Sequence, residues 1–144
     1  EATAEAFFKS PYFAVVGASG NEAKFGHIVF TWYIDENLPV TPINPSTRLI
    51  TVHDIKYPTT KDVLSLPHPS ETALSFLTQT DQTRKALEEA KEVGVQAVWF
   101  QHGSVTPEDF EYAQREFKIV VGGHVGTDAH DGWCVLVHGK KAIR

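Results

Sequence analysis

The residues Tyr12-Phe13-Ala14-Val15-Val16 form a short, nearly continuous apolar run that stops at Gly17-Ala18-Ser19-Gly20. A run of that length between turn residues is how a parallel strand buried on both faces reads. Past the loop, Phe25, Ile28, Val29 and Trp32 recur at helical spacing until Asn37 and Pro39 close the segment. Strand, glycine loop and helix in that order make the first half of a βαβ unit. A strand buried on both faces needs helices above and below its sheet, so few architectures remain open.

The rest of the chain repeats the alternation. A short helix over 3–9, anchored by Phe7 and Phe8, precedes the first strand. Residues 39–44 read as the second strand, and Pro42 marks it as short or edge-like because proline has no N–H for the ladder. Leu49 to Ile55 reads as a third strand, with a turn at Tyr57-Pro58 and a short helix over 60–66. Thr72 to Leu77 is a strand; Thr80 then caps a helix faced by Leu87, Ala90 and Val93 and stopped by Gly94. Val95 to Phe100 follows as a strand. Thr106-Pro107-Glu108-Asp109 combines a capping Thr, a first-turn Pro and acids at the positive helix end, with Phe110, Ala113 and Phe117 as the buried stripe. Lys118 to Val121 is a further strand ending at Gly122-Gly123, and Trp133 to Ile143 reads as a hairpin around His138-Gly139 or a short helix. The expected fold class is α/β, a Rossmann-like three-layer α/β/α sandwich around a mostly parallel five- to six-stranded sheet.

Composition narrows the function classes. At 144 residues, 42% hydrophobic and 22% charged, the chain suits one folded domain over 1–144, without repeats or linkers. A net charge of -5 offers no broad positive field to nucleic acid or to an anionic membrane. No apolar run approaches the ~20 residues that span a bilayer. A phosphate-bearing ligand must therefore be held by local backbone donors and a few cations. Cys134 is the one cysteine, so no internal disulfide forms and a reducing compartment is favoured. A cytoplasmic location is expected; because the sequence starts at Glu1 and has no Met, a removed upstream segment carrying a mitochondrial address is the alternative.

In open parallel sheets, ligands bind beyond the carboxyl ends of the strands, where strand order reverses. The residues expected there are Gly17-Ala18-Ser19-Gly20, Asn44-Pro45-Ser46, Thr78 and Gln101-His102-Gly103, which form one candidate site. Gly17 lets the backbone turn sharply, and the small Ala18 and Ser19 let a phosphate come close. The following helix adds free N–H groups and its positive dipole end. The plainer alternative is that these glycines only permit a tight strand-to-helix turn. The spacing Gly17, Gly20, Gly26 is not the Gly-x-Gly-x-x-Gly fingerprint of nicotinamide and flavin binders. The second strand also ends in Ile43-Asn44-Pro45, where such a binder usually carries an acid. Both points count against the alternative of an NAD(P)-binding oxidoreductase-type domain. No catalytic constellation emerges. Ser19 sits in no Gly-x-Ser-x-Gly elbow, His102 reads as ligand-contacting or solvent-exposed, and Cys134 reads as a buried small hydrophobe.

Four motifs taken together carry a resemblance. Val15-Val16-Gly17-Ala18-Ser19, then Lys24 and Gly26, then Pro42-Ile43-Asn44-Pro45, then Val98-Trp99-Phe100-Gln101-x-Gly103 resemble, in order and spacing, the small stand-alone CoA-binding domain proteins. These are similar to the N-terminal domain of the succinyl-CoA synthetase α subunit, and the match runs from about Tyr12 to Val121. The resemblance implies a Rossmann-like sheet holding the nucleotide end of coenzyme A or an acyl-CoA. By position it implies that Gly17, Ala18 and Ser19 face the diphosphate, with Lys24 as a nearby cation and Gly26 in the same motif. It implies that Asn44 and Pro45 shape the adenine side, and that Thr78, Gln101 and Gly103 border the pantetheine groove. The expected function is binding of coenzyme A or an acyl-CoA as a carrier, sensor or regulatory module. The partner would be a small-molecule nucleotide, not nucleic acid or membrane, with a homo-oligomer left open.

One segment departs from the bacterial members of that family. Residues 122–132 form a Gly/His-rich loop insert before Trp133-Cys134. His124, Asp128, His130 and Asp131 raise the alternative of a metal-assisted enzyme using the His124/His130 loop. Their spacing matches no established ligand pattern, so no metal site is assigned. Gly123-His124-Val125-Gly126 is superficially similar to the Gly-His-Ala-Gly around the phosphorylated histidine of succinyl-CoA synthetase. In that enzyme the histidine lies in a second domain, and coincidence explains the likeness better.

Overall fold

The computed structural model describes residues 2–122; residues 123–132 of the insert and the segment from Trp133 to Ile143 lie outside the described residues. The elements run α1 (Ala2–Phe7), β1 (Tyr12–Val16), α2 (Phe25–Asp35), β2 (Val40–Ile43), β3 (Leu49–Val52), β4 (Ile55–Pro58), β5 (Thr72–Phe76), α3 (Thr80–Val93), β6 (Ala97–Phe100), α4 (Pro107–Glu116) and β7 (Ile119–Gly122). Among the described residues, five strands form one sheet with every pairing parallel, in the order β2-β1-β5-β6-β7. Side chains alternate strictly between its two faces. Phe13, Val15, Ala73, Ala97 and Trp99 face α1 and α2, whereas Ala14, Val16, Leu74, Phe76 and Phe100 face α3 and α4. This gives the three α/β/α layers that doubly buried strands require.

Pro42 lies inside β2 without breaking it, and parity explains why. The carbonyls of Pro39 and Ile43 accept from Phe13 N and Gly17 N of β1, so the even-numbered residues turn the other way. There Pro42 O accepts from Thr60 N at 2.9 Å, and Asn44 N donates to Thr60 O at 2.9 Å. Thr60 thus makes a single parallel bridge outside β2. Counting it, the order becomes 3-2-1-4-5-6, the Rossmann arrangement with its third strand reduced to one bridge.

Several local expectations are corrected. The strand expected over Leu49 to Ile55 ends at Val52 and does not join the main sheet: β3 and β4 pair as an antiparallel hairpin in a two-stranded sheet of their own. Its turn falls at His53-Asp54, both with positive φ (49° and 64°), and Tyr57-Pro58 belongs to β4. Paired positive φ values are what a two-residue hairpin turn of the primed type needs, and Asp and His tolerate them better than most residues. The short helix expected over 60–66 is one 3₁₀ turn, Val63–Ser65, capped by the Asp62 carboxylate on Ser65 N. Gln79, not Thr80, is the N-cap of α3. In α2 the expected stripe is rotated: Phe25 and Ile28 are exposed, while His27, Phe30 and Tyr33 are buried. The hairpin is responsible. It gives α2 a second buried flank, where His27 Nε2 donates to Thr51 O at 3.0 Å and Phe30 meets Tyr57 edge-on. The start of α4 follows expectation, with Pro107 in its first turn and Thr106 Oγ1 accepting from Asp109 N.

Candidate functional site

Strand order reverses between β1 and β5, whose following helices α2 and α3 lie on opposite faces. The crevice at the carboxyl ends of these strands is where open α/β sheets receive ligands. At the end of β1, Gly17 has φ +93°, and a Cβ there would lie 3.0 Å from the Leu77 backbone. Gly26, in the first turn of α2, is tighter still: its Cβ would stand 2.1 Å from Gly17 O. Helix start and strand end therefore touch backbone to backbone, the role that the last glycine plays in dinucleotide folds. Ser19 Oγ accepts from Asn21 N at 3.0 Å, and Asn21 Oδ1 from Ala23 N at 2.9 Å, which fixes the intervening loop. The N–H groups of Ser19, Gly20, Phe25 and Gly26 have no acceptor among the described residues. A helix start with free donors is suited to an anion.

At the end of β2, Asn44 is a clamp. Its Nδ2 donates to Ala18 O at 2.8 Å, and its Oδ1 accepts from Ser46 N and Thr47 N at 2.7 and 2.9 Å. One side chain thus ties the glycine loop to the loop after β2. Past the ends of β5 and β6, the Thr78 and Thr83 hydroxyls are hydrogen-bonded to each other, Thr83 Oγ1 also reaches the Ser104 carbonyl, and Ser104 Oγ donates separately to Gln101 O.

Among the described residues, two clefts open on this crevice and share Thr78. The larger, about 350 Å³, is lined by Phe25, Leu77, Thr78, Gln101, His102 and Gly103, among others. The smaller, about 240 Å³, has walls from Gly17, Ile43, Pro45 and Ala86, and its charged lining is Lys61 and Lys85 together with Asp62 and Glu89. Of the residues read from the sequence, Gly17, Pro45, Thr78, Gln101 and Gly103 thus meet at these clefts. Ala18, Ser19, Lys24, Gly26 and Asn44 line neither. Ala18 is buried against the α1–α2 core, Gly26 is interlocked with Gly17, and Asn44 braces the two loops. Lys24 is exposed at the N-cap of α2. The cations that do reach a cleft, Lys61 and Lys85, went unread because each lies in a polar stretch with nothing local to distinguish it from a solvated surface. Phe25 went unread as a lining residue because its spacing placed it in the helix stripe.

Among the described residues, two ionisable groups are shifted from their ordinary values, and both serve the scaffold. Burial pushes the Tyr33 phenol well up, against the opposing pull of its 2.7 Å hydrogen bond with Ser75 Oγ. Asp109, bonded to Arg84 Nη1 at 3.0 Å, is the main influence raising the Arg84 guanidinium, which also lies 4.0 Å from the Tyr112 ring centre. That cluster joins α3 to α4. Among the described residues no group of three or more His, Cys, Asp or Glu could hold a metal ion, and no helix is long and apolar enough to cross a membrane. His124, Asp128, His130, Asp131 and Cys134 lie outside the described residues.

Solved structures share this fold. A conserved hypothetical protein from Pyrococcus furiosus matches with 24% identity over 88% of this chain and 97% of its own, at a TM-score of 0.70. A hypothetical protein from Pyrococcus horikoshii matches with 22% identity over 86% and 84% of the two chains, at 0.74. A Thermus thermophilus protein matches with 20% identity over 94% and 92%, at 0.71. At such identities the likeness is one of fold. No curated protein matches this chain. The model of the CoA binding domain family, however, matches residues 12–126, which takes in the glycine loop, the Asn44 clamp and every strand of the main sheet, and the chain belongs to that family.

Proposed function

We propose that this chain binds coenzyme A or an acyl-CoA across the β1–β5 crevice, as a carrier, sensor or regulatory module. The observation that carries the reading is the pair of clefts joined at Thr78 beside the donor-rich start of α2. Such a site suits an elongated ligand with its anionic part near the middle. The diphosphate would lie against the N–H groups of the glycine loop. The adenine end would enter the smaller cleft, whose apolar walls Ile43, Pro45 and Ala86 suit a base and whose Lys61 and Lys85 suit phosphate. The pantetheine arm would take the larger cleft past Gln101 and Gly103. The end of β2 disfavours a nicotinamide dinucleotide. Asn44 stands where an acid would receive the ribose hydroxyls, and its amide is already engaged with Ala18, Ser46 and Thr47.

Thermal unfolding with coenzyme A, acetyl-CoA, NAD, NADP and ATP at matched concentrations tests this. A ligand at ~100 times its Kd stabilises the fold by about 2.7 kcal/mol, which raises Tm by on the order of 10 °C. Shifts with coenzyme A species and none with NAD or NADP are expected. A shift with NAD or NADP alone would overturn the reading.

A further inference from the structure

Thr83 is fully buried in the first turn of α3, and its hydroxyl touches three oxygens: Ser104 O at 2.5 Å, Thr78 Oγ1 at 2.6 Å and Gln79 O at 3.2 Å. A hydroxyl has one proton to give, and a carbonyl has none. If Thr83 gave its proton to Thr78, two bare oxygens would face each other at 2.5 Å in the contact with Ser104 O. That arrangement is repulsive. The Thr83 proton therefore goes to the Ser104 carbonyl, and the contact with Thr78 is filled by the proton of Thr78 itself. Thr78 Oγ1 is left facing the clefts with lone pairs and no proton. Ser104, on the same larger cleft, repeats the pattern: its Oγ donates to Gln101 O at 2.7 Å, so it too can only accept.

We infer that Thr78, with its proton direction set by Thr83, is a specificity-determining acceptor for an amide N–H of the ligand's pantetheine arm. The inference rests on the coenzyme A reading above. A phosphate oxygen placed on Thr78 Oγ1 would meet a lone pair, whereas an N–H would complete the hydroxyl's bonding. The crevice is thus polarised along its length. Backbone donors at the end of β1 await the anion, and an acceptor hydroxyl at the end of β5 awaits the arm. A ligand that joins a diphosphate to an amide chain satisfies both.

Calorimetric titration of the whole chain with coenzyme A and two analogues tests it. Each analogue carries an ester oxygen in place of one of the two arm amide N–H groups. Wild type should bind one analogue about tenfold more weakly than coenzyme A, because an acceptor is left facing an acceptor. Thr78→Val should bind coenzyme A more weakly and lose that discrimination, whereas Thr78→Ser should keep it. Thr83→Val should shrink it, since the Thr78 hydroxyl is then free to turn and donate to the ester. Circular dichroism establishes that each variant is folded. Equal affinity of wild type for all three ligands, or discrimination that survives in Thr78→Val, overturns the inference while leaving the coenzyme A reading intact. Failure of wild type to bind coenzyme A at all overturns both.

Discussion

The two ends that face each other across the crevice are built by opposite means. The end of β1 is held by missing side chains: Gly17 and Gly26 bring strand and helix into backbone contact with no room for a methyl group. The ends of β5 and β6 are held by hydroxyl hydrogen bonds: Thr78 with Thr83, Thr83 to the Ser104 carbonyl, and Ser104 Oγ to the Gln101 carbonyl. The first end is sensitive to volume and the second to chemistry. A backbone contact fixes where donors stand to within a fraction of an ångström, and any added atom moves them. A hydroxyl chain tolerates an isosteric swap in shape but loses its direction once one oxygen is gone. Placing a rigid donor end beside an oriented acceptor end gives the crevice a polarity that does not depend on the charged side chains of the smaller cleft.

The largest expected effect lies at Gly26. In Gly26→Ala the new Cβ would overlap Gly17 O, a backbone atom with no side-chain freedom to yield. Either α2 slides off β1 or the loop is rebuilt. Chemical denaturation should show a loss of about 3 kcal/mol or more, and ligand-induced stabilisation should vanish with it. A loss under 1 kcal/mol would mean that the interlock is looser than it stands. Gly17→Ala comes next, at about 2 kcal/mol. Its Cβ contact with Leu77 is only tight, at 3.0 Å, but the positive φ adds strain for any side chain.

The opposite end answers to a different substitution. Thr83→Val keeps shape and removes the oxygen, leaving Ser104 O and the Thr78 hydroxyl without their buried partner. A cost of about 1–2 kcal/mol is expected by the same denaturation measurement. Thr83→Ser, which keeps the hydroxyl, should recover the part that belongs to the hydrogen bonds. If Ser and Val cost the same, the end is held by packing after all, and the contrast between the two ends fails.

What could be read from the sequence follows the same division. β1, the glycine loop, the helix after it and the capped start of α4 were legible because their signals are local: an apolar run, a glycine at a strand end, Thr106-Pro107 before acids. The doubly buried sheet was legible for the same reason. Thr83 was not, because a threonine inside a helical pattern says nothing of the carbonyl of Ser104, 21 positions away, that it meets. Lys61 and Lys85 share a cleft through the fold alone, and no spacing links them. The β3–β4 hairpin was misread because its turn is His53-Asp54, which lacks the glycine that usually announces such a turn. Asn44 was read as shaping the adenine side, but it lines neither cleft; its work as a brace depends on Ala18 O, which only the closed loop brings within reach.

Gly20 gives the smallest stability effect and the finest test of the β1 end. A Cβ there would meet only Thr47 Cγ2 at 3.8 Å, an ordinary contact, and its φ lies outside the positive region. Nothing in the fold requires a glycine at this position. Gly20→Ala should leave stability within about 0.5 kcal/mol, or raise it slightly by narrowing the unfolded ensemble. Affinity is a separate matter, because Gly20 N–H is one of the donors left open in the loop and a methyl group beside it would hold a ligand off. Weaker coenzyme A binding with unchanged stability would assign Gly20 to the ligand and Gly17 and Gly26 to the fold. Unchanged binding would confine the anion to the start of α2, past Gly20. A stability loss comparable to that of Gly17→Ala would show that the whole loop is packed as tightly as its two ends, and the division between fold glycines and ligand glycines would fall.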